Sequence, residues 1–264
     1  MKVGIIGGGN MGGAIMQGLC VSGAIKQSDI YLCDLNEALL QSAKDKFPEL
    51  NISTDNLQAV INDTDIVIVA VKPWLVKVVL DQISAKIDFK KQIFISIAAG
   101  VSIDDLTELV SENCSNPTIF RIIPNTAIAV RQSVNIITSR NASAEQVDTV
   151  VNLFKPLGMT TIIEERLMGS ATALTSCGIA YAMRYVRAAT EGAVELGLYP
   201  NQAKEMVLGT LRGAVELLEA TGNNPEVEID KVTTPGGITI KGLNAMEANG
   251  FTTAVINGLK ASAI

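Results

Sequence analysis

The chain has 264 residues, 48% of them hydrophobic and 18% charged, with a formal net charge of −6. That length buries a sizeable core as one large domain or two modest ones, and the acidic balance argues against nucleic acid as a partner. Mean hydropathy is high at +0.31, yet no apolar run approaches the roughly 18 residues of a membrane span. No membrane partner is expected, and the surplus apolar surface is assigned to a helical interface between subunits. Histidine is absent, which removes the commonest general acid–base and the commonest transition-metal ligand. No metal site is expected, so any chemistry falls to hydroxyls, carboxylates, lysine, backbone N–H groups or a cofactor. Cys20, Cys33, Cys114 and Cys177 are scattered with no C-x-x-C pair, the pattern of reduced thiols in a cytoplasmic protein. Met1-Lys2-Val3 runs directly into a strand, so no signal peptide is expected.

Val3 to Ile6 is an apolar, β-branched run that suits a buried parallel strand. Gly7, Gly9 and Gly12 follow at G-x-G-x-x-G spacing, and a helical pattern begins at Ala14. Glycine first allows a tight turn, then lets a pyrophosphate approach the backbone, then lets helix and strand pack closely. The helix start adds free N–H groups and a positive dipole end. A second strand over Asp29–Cys33 ends at Asp34, 22 residues past Gly12. An acid there accepts hydrogen bonds from adenosine ribose hydroxyls and repels a 2′-phosphate. The next basic residue is Lys44, so the reading leans to NADH over NADPH. The alternative is that Asp34 caps a helix over Glu37–Lys46.

Asn51-Ile52-Ser53 is a short third strand, and Thr54-Asp55-Asn56 caps a helix through Ile61. Central strands are expected over Ile66–Val71, running into Lys72-Pro73-Trp74, and over Ile93–Ile97, running into Ala98-Ala99-Gly100. A helix starts at Ser102-Ile103-Asp104-Asp105. Ligands of an open parallel sheet bind beyond the carboxyl ends of the strands. The cofactor wall is therefore Gly7 to Met11, Asp34, Val71 to Pro73 and Ile97 to Ala99. Thr118–Thr126 makes a sixth strand ending in a polar turn, Val134–Thr138 a seventh, and Met159–Ile162 a last edge strand. Ser143 opens a capping-box-like helix through Phe154.

From Glu164 the pattern turns helical. Leu167–Leu196 is rich in Ala, Gly, Ser and Thr with apolar residues near helical spacing, and Asn201–Ala220 is a second helix, broken at Thr221–Pro225. Leu243–Ala248 and Thr252–Ala261 are short final helices. About a hundred residues of such helix bury little alone, and a dimer covers them. The fold class is α/β: a Rossmann-type doubly wound sheet over residues 1–163, then an all-α dimerisation domain over residues 164–264. Between the helices, Pro235-Gly236-Gly237 leads into a helix starting near Ile238. Free N–H groups there suit a carboxylate, and Thr239 adds a hydroxyl. The alternative is a helix cap joined to a glycine turn.

Along its whole length the chain resembles the pyrroline-5-carboxylate reductases. The resemblance is carried by Gly7-x-Gly9-x-Met11-Gly12, Ala70-Val71-Lys72-Pro73, Ser96-x-Ala98-Ala99-Gly100-Val101, Arg121-x-x-Pro124-Asn125-Thr126, Thr234-Pro235-Gly236-Gly237-x-Thr239 and Gly250-Phe251-x-x-Ala254-Val255-Ile256. It implies NAD(P)H-dependent reduction of a cyclic imine carboxylate to L-proline, by a homodimer or a higher homo-oligomer such as a decamer. It also implies that Gly237, Ile238 and Thr239 hold the substrate carboxylate and ring nitrogen, with Thr239 the catalytic residue, and that Glu165 faces the substrate. For the cofactor it implies Ile6, Gly7, Gly8, Gly9, Asn10, Met11, Asp34, Asn56, Ala70, Val71, Lys72, Pro73, Ile97, Ala98 and Ala99.

Three departures stand out. Thr175-Ser176-Cys177-Gly178-Ile179-Ala180 replaces the family's usual Ser-Gly-Ser-Gly-Pro-Ala. Ala127 stands where Pro is usual, and Asp34 replaces the small polar or basic residue common in NADPH-preferring members. Two other readings are a two-domain imine or β-hydroxyacid-type reductase and a non-catalytic dinucleotide sensor. The β-hydroxyacid type needs a helix-borne lysine, and Leu167–Leu198 contains none.

Overall fold

The computed structural model describes residues 1–263. Two compact units follow one another, residues 1–176 and residues 177–262. In the first, short apolar runs become strands: Val3–Ile6 (β1), Ile30–Cys33 (β2), Asn51–Ser53 (β3), Ile66–Val69 (β4), Ile93–Ser96 (β5), Ile119–Ile123 (β6), Ser133–Arg140 (β7) and Gly158–Ile162 (β8). They form one sheet in the order β3-β2-β1-β4-β5-β6-β7-β8. Pairing is parallel from β3 to β6, antiparallel between β6 and β7, and parallel again between β7 and β8. Every residue of β1, β4 and β5 is buried, as central strands sheathed on both faces must be.

The strands are joined by Asn10–Ser22 (α1), Glu37–Lys46 (α2), Gln58–Ile61 (α3), Val76–Ile83 (α4), Ile103–Val110 (α5) and Ala144–Phe154 (α6). Because successive strand side chains point to opposite faces, the core divides in two. Ile5, Ile68 and Phe120 pack with Ile15, Leu19 and Phe154 in one cluster. Ile6, Val69 and Phe94 pack with Leu80 and Leu106 in the other. The strand order reverses between β1 and β4, the switch point at which an open α/β sheet opens its ligand crevice.

All eight expected strands form. Helix α4 lies outside the sequence expectation, although its buried Val76, Val79, Leu80 and Ile83 have helical spacing. The division between units also falls later than the expected 163/164. Met168–Thr172 (α7) continues through a π-helical turn, Ala173–Cys177, into Gly178–Glu195 (α8). Met168 is buried against Ile123 and Ile136. The Asn125 side-chain amide donates to the Thr175 carbonyl at 2.9 Å, and the Ser176 hydroxyl donates to the Pro124 carbonyl at 3.2 Å. These bonds hold residues 164–176 to the sheet, although strand–helix alternation has already ended.

The second unit consists of α8, Pro200–Thr221 (α9), Pro225–Lys231 (α10), Ile238–Ala248 (α11) and Phe251–Ser262 (α12). Helices α8 and α9 pack together, and the Tyr181 hydroxyl of α8 donates to the Gly258 carbonyl of α12 at 3.2 Å. Ala203 is the single buried residue of these five helices. Helix α11 begins at Ile238, the start expected after Pro235-Gly236-Gly237, with Gly237 as its N-cap, and it runs unbroken into the segment from Leu243 although the β-branched Ile-Thr-Ile weakens the helical pattern there. Helix α10, absent from the sequence expectation, has a legible start: Asn224 caps it and Pro225 occupies its first turn. Among the described residues no helix is long and apolar enough to cross a membrane.

Candidate active site

The glycine loop sits at the switch point. Gly7 has φ of +98°, and a Cβ there would lie 2.7 Å from the Ala70 carbonyl oxygen and 3.0 Å from Val71 Cγ1. Only glycine meets both demands. A Cβ on Gly12 would collide with the Gly7 carbonyl oxygen, so α1 and β1 approach as closely as their backbones permit. Ile6 ends β1 fully buried. The Ala70 N–H donates to its carbonyl at 2.7 Å, and the Gly7 N–H donates to the Cys33 carbonyl at 2.7 Å.

At Gly9 the position of a Cβ is open space. Gly9 is the N-cap of α1 and no side chain caps it. The first-turn N–H groups of Asn10 and Met11 are therefore left without side-chain partners, which is the backbone requirement of a pyrophosphate cradle. Asp34 stands beside it. Its Oδ2 accepts the Gly8 N–H at 2.7 Å and its Oδ1 accepts the Asn36 N–H at 2.9 Å. Asp34 is not the cap of α2: Asn36 is, accepting the Leu39 N–H at 3.1 Å. A carboxylate has about four acceptor positions, so Asp34 retains capacity for ribose hydroxyls. The residues present fit a dinucleotide.

The opposite wall follows β4 and β5. Ala70 and Val71 leave the ladder against the glycine loop, Lys72 is exposed, and Pro73 opens a 3-10 turn through Leu75. Ile97 donates its N–H to the Val69 carbonyl at 3.1 Å. Ile97 and Ala98 are buried, whereas Ala99 is exposed. Asn56, after β3, donates from its side-chain amide to Gln82 Oε1 of α4 at 2.8 Å.

Glu165 is also in the first unit. Its Oε1 accepts from Arg121 Nη1 at 2.8 Å and from the Ile103 N–H at 3.1 Å. Oε2 and Arg121 Nε are buried without partners. This carboxylate thus joins β6, the start of α5 and the turn Glu165–Leu167. Arg121 is the functional neighbour that sequence reasoning leaves without a role; its signal is a lone cation inside the apolar strand Ile119–Ile123. The start of α5 is completed by Ser102 and Asp105 as a reciprocal capping box. The Ser102 hydroxyl, then its N–H, holds the Asp105 carboxyl below the usual carboxylate range.

Gly237, Ile238 and Thr239 are consecutive in the second unit. Gly236 has φ of +72° and turns the chain. The Gly237 N–H donates to the Thr234 carbonyl at 2.9 Å. No side chain caps α11, Ile238 is 87% exposed, and Thr239 is exposed. The cofactor residues and Glu165 are therefore gathered in one unit and the Gly237–Thr239 group in the other. Thiol chemistry has little support at two of the cysteines. Burial pushes the Cys33 thiol up to about 12 and the Cys20 thiol up to about 11, so both stay protonated near neutral pH.

A glycine loop at the switch point, with an acid ending the second strand, defines a Rossmann-type dinucleotide-binding protein extended by a helical unit. Residues 2–100 match the family described as NADP oxidoreductase, coenzyme F420-dependent, and residues 165–264 match the family described as pyrroline-5-carboxylate reductase dimerisation. Pyrroline-5-carboxylate reductase 2 of Dictyostelium discoideum is 34% identical over 99% of this chain and 91% of its own length. Pyrroline-5-carboxylate reductase 1 of the same organism is 35% identical over 98% of this chain; the chain spans 48% of that longer protein. The crystal structure of Plasmodium falciparum pyrroline carboxylate reductase with NADP bound superposes with a TM-score of 0.88 at 29% identity, covering 100% of this chain and 95% of that one. This chain belongs to the pyrroline-5-carboxylate reductase family.

Proposed function

We propose that the chain reduces 1-pyrroline-5-carboxylate to L-proline, the closing step of proline biosynthesis, with NADH or NADPH as reductant and Asp34 favouring NADH. The observation that carries the reading is the 34% identity to a pyrroline-5-carboxylate reductase over 99% of this chain and 91% of that one. The working form is a homodimer or a higher homo-oligomer, supported by five helices that bury a single residue between them. The four free cysteines support a reducing, cytoplasmic setting.

When bound, the reduced nicotinamide supplies a hydride to the imine carbon. The chain's own residues hold and orient. First-turn N–H groups of α1, from Gly9 to Met11, receive the pyrophosphate, and Asp34 accepts from the adenosine ribose. Ile6, Asn56 and Ala70 to Pro73 line the dinucleotide. The small side chains at Ala98 and Ala99 leave room for a ring beside Ile97. At the start of α11, where Gly237 is the N-cap, the uncapped N–H groups of Ile238 and Thr239 anchor the substrate carboxylate, and the Thr239 hydroxyl bonds the ring nitrogen. Glu165, held by Arg121 and the Ile103 N–H, faces the substrate. A protonated imine is already electrophilic, so a chain with no histidine needs no strong general acid. Positioning alone is worth up to about 7–11 kcal/mol of barrier.

The test is turnover of 1-pyrroline-5-carboxylate with NADH and with NADPH in parallel, beside oxidation of L-proline at high pH with NAD⁺ and NADP⁺. The expected result is activity in both directions with the higher kcat/KM for the non-phosphorylated pair. Equal or better use of NADPH removes the role given to Asp34. No turnover in either direction overturns the reductase reading.

A further inference from the structure

Two exposed apolar side chains stand at the rim of the crevice, unused by the phosphate and ribose contacts described above. Leu35 directly follows Asp34 and is 81% exposed; Trp74, the chain's single tryptophan, is 73% exposed in the turn after β4. Strands β2 and β4 are the two neighbours of β1. Leu35 and Trp74 therefore sit on the segments that flank the glycine loop from either side. The direction of Trp74 follows from the helix it leads into. Val78 and Gln82 share one stripe of α4, and Trp74 precedes them at the same spacing in the 3-10 turn that leads into the helix. Gln82 accepts the 2.8 Å hydrogen bond from Asn56, in the segment after β3. That bond turns the stripe towards the β2–β3 side of the sheet, where Asp34 lies. Val78, on that stripe, is likewise exposed.

We propose that Trp74 and Leu35 seat the adenine base of the dinucleotide, with the indole stacked on the purine face and Leu35 against its edge. The inference rests on the dinucleotide reading above. A pyrophosphate at the start of α1 and a ribose on Asp34 leave the base to extend outward beyond the end of β2. A purine is flat with an apolar face, and large apolar side chains held in the open at that rim match it. The seat distinguishes ligands by their adenine half. A fragment carrying adenine engages Trp74, and a fragment carrying only nicotinamide does not.

Because no other tryptophan is present, intrinsic emission reports on this one position. The experiment titrates the full chain with ADP-ribose and with nicotinamide mononucleotide, following tryptophan emission and, independently, heat of binding. ADP-ribose is expected to change Trp74 emission saturably, and nicotinamide mononucleotide is not. Base–aromatic stacking predicts that Trp74→Ala weakens ADP-ribose binding about five-fold or more, and that Trp74→Phe restores most of it. Trp74 is exposed, so both variants are expected to fold, which an unchanged thermal midpoint verifies. ADP-ribose binding with unaltered emission, and with equal affinity in Trp74→Ala, overturns the adenine seat and leaves the dinucleotide reading standing. Failure of the wild-type chain to bind either ADP-ribose or NADH overturns both.

Discussion

In the first unit Phe94, Phe120 and Phe154 are wholly buried, whereas in the second Leu196, Tyr199 and Ile238 are each at least 80% exposed. The two units do not differ in how apolar they are so much as in where the apolar groups point. Strands present side chains to both faces of a sheet, and helices from the same segment of chain cover both, so the first unit completes its own core. The helices of the second carry apolar residues on faces that the chain leaves uncovered: Met206, Leu208, Val215 and Leu217 of α9 are all exposed. A surface of that kind is the signature of an interface, and in the homodimer proposed above a second copy supplies the missing layer.

The contrast is broken most severely by Phe120→Ala. Removing a wholly buried ring from the first unit is expected to cost about 3–5 kcal/mol, read from the urea midpoint. A cost under about 1 kcal/mol would mean that this unit is not the self-sufficient half. Next comes the double substitution Leu208→Glu with Val215→Glu on α9. Burying unpaired charge in an interface costs several kcal/mol, so self-association is expected to weaken on the order of 100-fold in sedimentation, with NADH binding retained. Unchanged association would return that face to ordinary surface. Thr239→Ala tests the second unit's chemistry rather than its contacts. Loss of one hydrogen bond to a charged ligand is expected to lower kcat/KM roughly 10- to 100-fold, with NADH affinity nearly intact. Wild-type turnover would reduce Thr239 to a helix-start residue.

Ser102→Ala produces the smallest effect, about 1 kcal/mol at neutral pH from the lost N-cap of α5. Its pH dependence has a definite sign. Ser102 depresses the folded-state pKa of Asp105, so this stabilisation is present above the ordinary Asp value, roughly 3.9, and is lost as pH falls through the folded-state value. The difference between wild type and variant should therefore narrow in acid. A gap that stays constant down to acid unfolding would show that the capping box contributes nothing through the carboxylate.

Much of this protein is determined by residues that are neighbours along the chain. The β-branched runs Val3–Ile6 and Ile66–Val69 can only be buried strands, and the spacing of Gly7, Gly9 and Gly12 needs no partner to be recognised. Ser102 and Ser143 announce their helices through groups three residues away. Only the tertiary structure decided what Asp34 does for the loop: it accepts the Gly8 N–H, while Asn36 caps α2. It also paired Arg121 with Glu165, tied residues 164–176 to the sheet, and set Trp74 ahead of a stripe turned by the Gln82–Asn56 bond. Periodicity and turn chemistry act over one or two turns of chain and leave their mark in local sequence. Partnerships across tens of residues depend on strand order, which no local pattern encodes.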